Sequence, residues 1–159
     1  MILALKANPN VLECLYSPLV EHCSPVAAKL VDMRESFLSR LIYQTYNSYV
    51  LSQFKKMEQD LRTRGSIRPK HAMHLIRLLL SGITVLKHGF VPVDVDRYRD
   101  RLLDIKYERM PWSEVNQWRL SLHEQFDRAF ASTTLAERPD YERANDCLVW
   151  ARQTAMEET

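Results

Sequence analysis

Residues Lys70–His88 read KHAMHLIRLLLSGITVLKH, and this stretch decides the fold class. At about 100° per residue, Lys70, His74, Arg77, Ser81, Thr84 and His88 fall on one stripe roughly 80° wide. Most of the remaining circumference is apolar: Ala72, Leu75, Ile76, Leu78, Leu79, Leu80, Ile83, Val85 and Leu86. Such a helix is expected to be largely buried, with one narrow polar seam. No Asp or Glu occurs from Arg62 to Val93, while Arg62, Arg64, Arg68, Lys70, Arg77 and Lys87 all lie inside. In a chain of net charge +2, that concentration marks a place for an anion, most simply a phosphate.

The helix has clear ends. Pro69 stands at its first position and Gly89 just past its last. Upstream, Phe37, Leu41, Ile42, Tyr46, Tyr49, Val50, Phe54, Met57 and Leu61 recur at helical spacing. They predict a helix over 37–64, capped by Ser36 and closed by Gly65-Ser66. Ser24-Pro25 opens a shorter helix over 26–34. Downstream come a short charged helix over 97–107, one from Pro111 to about Ser132, and a last one from Tyr141 to about Met156.

The N-terminal residues read differently. Ile2–Ala7 looks like the tail of a helix stopped by Asn8-Pro9-Asn10. Val11–Tyr16 (VLECLY) reads as a short strand, which cannot stand alone. The expected architecture is therefore mainly α, a bundle of about six helices behind a helix–strand stub. Residues 1–24 would be a piece of a sheet whose other strands are missing or elsewhere, and 25–159 a helical domain.

The totals bound the rest. A length of 159 residues supports one real core, and three glycines disfavour a turn-rich sheet fold. The odd cysteine count and the absence of C-x-x-C argue against a disulfide framework and for a reducing, cytoplasmic setting. No run has the length of a membrane span.

Two readings of the seam compete. A charged stripe is most often a solvated face, but such faces usually mix signs, with Glu paired to Lys or Arg four residues away. In the anion reading Arg77 forks a phosphate, Lys70 acts as a point charge and His74 donates one hydrogen bond. Tyr49 and Gln53 share a helix face and would flank that site if their helix packs beside the seam. His71 and His88 read as surface or packing residues. No metal site is expected, because the histidines lack Cys or carboxylate partners at ligand spacing. Glu13, between Val11 and Leu15 on the expected strand, is either an edge residue or a functional acid.

Five segments together resemble the C-terminal part of a family of predicted nucleotidyltransferases of the DNA polymerase β superfamily, some of which accompany RNA ligases in RNA repair operons. They are Lys6–Glu13 (KANPNVLE), Phe37–Ser39, Lys70–Leu78, Leu102–Lys106 and Glu137–Tyr141 (ERPDY). The resemblance implies a transferase architecture in which a helical domain closes over a nucleotide or an RNA or DNA end. It makes residues 1–24 a remnant of the catalytic domain. It places Lys70, His74 and Arg77 on the facing helix, and Glu13 at the end of the catalytic sheet as a candidate third acid. Complete members carry a Gly-Ser motif for the nucleotide phosphates and a Ser-Asp-x-Asp motif for Mg2+. This sequence has neither, so the resemblance implies a truncated or split member that holds no Mg2+ and does not turn over alone. A separate chain carrying those motifs is the partner it implies, and a second copy of this chain is the partner in the self-associating alternative. The alternatives are a helical interaction module with an apolar patch around Val11, Leu12 and Leu15, and a remnant that self-associates by pairing strands.

Overall fold

The computed structural model describes residues 1–157, and the Glu157 side chain is outside the description. Among the described residues there are eight α-helices and no strand. They are α1 (Ile2–Leu5), α2 (Pro9–Tyr16), α3 (Pro25–Asp32), α4 (Leu41–Arg64), α5 (Pro69–His88), α6 (Arg99–Lys106), α7 (Trp112–Ser132) and α8 (Tyr141–Glu157). Short 3-10 turns at Arg34–Phe37 and Asp96–Tyr98 precede α4 and α6. The mainly helical class is as expected, with eight helices in place of about six.

The expected strand at 11–16 is helix α2. The Asn8 side chain accepts a hydrogen bond from the Val11 N–H at 3.2 Å, and Pro9 sits at the first helical position. Asn-Pro is thus a helix start and not a stop. A six-residue apolar run fits either period. Here the cap and the packing decide: Leu12 is fully buried, and Val11 and Leu15 pack partly against the core. The apolar patch expected at Val11, Leu12 and Leu15 is therefore turned inward. Pairing of stub strands has no strand to use. Ser36 does not cap α4 either, because the chain turns through the 3-10 segment first and α4 begins at Leu41.

Helix α5 is the centre of the bundle. Its apolar residues from Ala72 to Leu86, apart from the partly buried Met73, are buried between α4 on one side and α6 and α7 on the other. The facing stripe of α4 is Ile42, Tyr46, Val50, Gln53, Met57 and Asp60; that of α7 is Val115, Trp118, Leu122, Phe126 and Ala129. Both recur every three or four residues, as one face of a helix must. Gly65 and Gly89 close α4 and α5 in the left-handed conformation, at φ 72° and 68°. The hairpin α4–α5 is antiparallel, so Asp60 lies beside Arg68 and His71, and Tyr46 beside Gly82.

Candidate phosphate-binding site

The polar seam of α5 is only partly a surface. Lys70 is exposed at its start, His74 and Arg77 are half-buried, and Ser81 is buried. The sequence places no acid within the helix, but folding brings two from elsewhere. Glu13 of α2 approaches the Arg77 guanidinium at 3.4 Å, both side chains about one-third exposed. Asp60 of α4 is buried; its carboxylate meets Arg68 Nε at 2.9 Å, accepts the Arg68 backbone N–H at 3.3 Å and lies 3.7 Å from His71 Nε2.

Between these two pairs the seam stays basic. Burial pushes the His74 imidazole below its ordinary range, and nearby Arg77, Lys56, His71 and Lys70 push it further in the same direction. The side chains that push it are all basic, while Glu13 is held by Arg77 and Asp60 by Arg68 and His71. His74 is therefore neutral at pH 7, with one ring nitrogen available as a donor. Lys56, from the exposed side of α4, is the cation that helical spacing on α5 alone does not supply.

The two flanking residues expected from α4 are both engaged. Tyr49 Oη accepts a 2.7 Å hydrogen bond from Asn8 Nδ2. Gln53 is buried, with Oε1 3.2 Å from His71 Nδ1. His71, read from the sequence as a surface or packing residue, thus bridges Gln53 and the buried Asp60. Burial is the main cause that lowers its pKa, opposed by Asp60.

Beneath the Glu13–Arg77 pair lies a group that sequence reading missed. The hydroxyls of Tyr16, Tyr46 and Ser81 are buried without hydrogen-bond partners. Burial raises the Tyr46 pKa well above its ordinary value, with Glu13 and Tyr16 adding to the shift. Ser81 is near enough to oppose it, yet no bond of good geometry joins the two hydroxyls. Burial likewise lifts Tyr16 to about 12. A cavity of about 50 Å³ opens beside them, lined by Glu13, Arg77, Ser81, Thr84, Asp94 and Tyr98. The only signal in the sequence is that Tyr46 and Ser81 sit where a core face meets a polar stripe.

The model of the RNA repair pathway DNA polymerase beta family matches residues 1–150. The chain belongs to this family. No curated protein and no solved structure matches it. Among the described residues no group of three or more His, Cys, Asp and Glu side chains could hold a metal ion, and the Glu13 carboxylate faces Arg77. No described helix is long and apolar enough to cross a membrane.

Proposed function

We propose that the chain is the substrate-holding helical part of a DNA polymerase β-like nucleotidyltransferase, and that its seam binds the phosphates of a nucleotide or of an RNA or DNA end. One observation carries this reading: His74 is half-buried, and Arg77, Lys56 and Lys70 lie near enough to push its pKa down in addition to burial. In this reading Arg77 forks a phosphate, Lys70 and Lys56 supply point charge, and His74 donates a hydrogen bond. Tyr49 and Gln53 hold the flank through Asn8 and His71. The Gly-Ser motif that holds the nucleotide phosphates, and the Asp-x-Asp motif with its Mg2+, come from another segment or chain. Metal supplies the charge neutralisation and nucleophile activation of nucleotidyl transfer, so the chain by itself binds without turnover. Residues 1–24 belong to the catalytic side and residues 25–159 to the helical side, in a cytoplasmic setting. Glu13 as a catalytic acid rests on the resemblance alone; its contact here is Arg77.

The test is titration of the chain with inorganic triphosphate and with a 5′-phosphorylated RNA, read by calorimetry and by thermal protection. Binding is expected, and Arg77→Ala is expected to weaken it by about tenfold or more, the scale of one charge-assisted contact. Absence of binding by every phosphate ligand at low salt refutes the proposal.

A further inference from the structure

A second cleft lies away from the seam, between the α4–α5 turn and the connection from α6 to α7. Its volume is about 420 Å³, within the roughly 300–1,000 Å³ of small-molecule sites. Ala72, Ile105 and Val115, all buried, form an apolar floor, and Trp112 stands in the wall about two-fifths exposed. Ser66 and Glu108, both exposed, are the polar residues with hydroxyl or carboxylate groups in its lining. Glu108 is held at φ 58°, a conformation uncommon outside glycine that persists where its surroundings fix it. Among the described residues its carboxylate makes no ion pair or hydrogen bond, whereas the neighbouring Asp104 is taken by Arg109 at 2.8 Å.

Cations cluster on the α4–α5 side of the cleft, while the α6–α7 side carries the exposed acids Glu108 and Glu114. The last turn of α4 and the first of α5 bound it and carry Arg62, Arg64 and Lys70, all exposed. The acid in that region, Asp60, is buried and engaged by Arg68 and His71. An apolar slot with an aromatic wall, an exposed carboxylate in its lining and cations on its α4–α5 side has the complementarity of a nucleotide. The flat ring is apolar on its faces, an amino edge donates, and the phosphate is anionic. A second copy of this chain would bring its own basic rim against this one.

We infer that this cleft takes one base of a single-stranded RNA or DNA end, stacked on Trp112, with an amino edge donated to Glu108 and flanking phosphates held by Arg62, Arg64 and Lys70. The inference rests on the reading of the seam as a phosphate-binding face, and Lys70 is common to both. It adds an acceptor-strand site to that face.

The experiment titrates the full chain with a fluorescent hexa-adenylate, an abasic strand of equal length and inorganic triphosphate. Stacking of one base is expected to make hexa-adenylate about 5- to 150-fold tighter than the abasic strand. Trp112→Leu, which keeps an apolar wall, is expected to remove that difference while leaving triphosphate binding unchanged. Glu108→Ala is expected to reduce the preference for adenylate over uridylate, and both variants are checked by circular dichroism. If triphosphate binds but hexa-adenylate and the abasic strand bind alike, the cleft inference falls and the seam stands. If neither triphosphate nor any strand binds, both fall. Concentration-dependent dimerisation abolished by Trp112→Leu would assign the cleft to a second copy and overturn the inference.

Discussion

Gly82→Ala tests the packing that holds the seam in place. Gly82 lies in the middle of α5, where α4 and α7 press on it from two sides. A methyl group there would stand 2.7 Å from Phe126 Cε2, 3.2 Å from Phe126 Cζ and 3.2 Å from Tyr46 Cδ1. Neither ring has room to step aside, since Phe126 is 1% exposed and Tyr46 0%. Two terms oppose each other. Alanine improves helix propensity by about 1 kcal/mol over glycine. Overpacking a tight core costs about 1–3 kcal/mol, and a 2.7 Å approach to a buried ring belongs in the upper half of that range. The net expectation is a loss of about 1–2 kcal/mol, or roughly 2–8 °C in Tm for a chain of this size. Urea and thermal denaturation followed by far-UV circular dichroism measure it. Phe126→Leu should relieve part of the clash, so the double variant should lose less than the sum of the two singles. A Gly82→Ala protein as stable as the parent, or more so, would show that α4, α5 and α7 do not meet at this position and would refute the reasoning.

Three further outcomes are expected. Asp60→Asn should cost about 1–3 kcal/mol in urea denaturation, because a buried carboxylate there holds the Arg68 backbone and guanidinium together at the α4–α5 turn; an unchanged midpoint would remove that role. His71, His74 and His123 all have pKa values lowered from 6.5, in each case mainly by burial. Below 6.5 the unfolded chain binds more protons than the folded one, so stability should be full above about pH 6.5 and fall as pH drops through that value toward the lowered ones. Urea midpoints measured from pH 7.5 to 5 check this, and His74→Gln should flatten the slope. Glu13→Gln should tighten triphosphate binding several-fold by freeing Arg77 from its 3.4 Å partner; calorimetry showing weaker binding would mean that Glu13 positions Arg77 and does not compete for it.

Much of the architecture is local in origin and could be read in sequence. Pro69 and Gly89 bound α5, Gly65 closes α4, and Ser24 caps α3 by accepting from Ala27 N–H at 3.2 Å. Each signal acts within a few residues of the backbone group it satisfies. The segment VLECLY was the failure, because its apolar run is too short to separate two periods and Asn-Pro serves equally as a stop and a start. Ser81 was placed on the polar stripe, yet it is 6% exposed beside Tyr46. Helical phase orders the residues around α5 but does not say how far α2 and α4 wrap over them.

By itself the sequence determined that the chain is helical, where most helices end, which face of α5 carries Lys70, His74 and Arg77, and that no acid lies within that helix. Only the tertiary structure decided the electrostatics of that face. It set Glu13 against Arg77 across 64 positions of chain, sank Asp60 under Arg68 and His71, and brought Lys56 near His74. Caps and periodicity depend on neighbours along the backbone, which the sequence lists in order. The potential at a site depends on every charge within a few ångströms, and those distances exist only once the helices have packed.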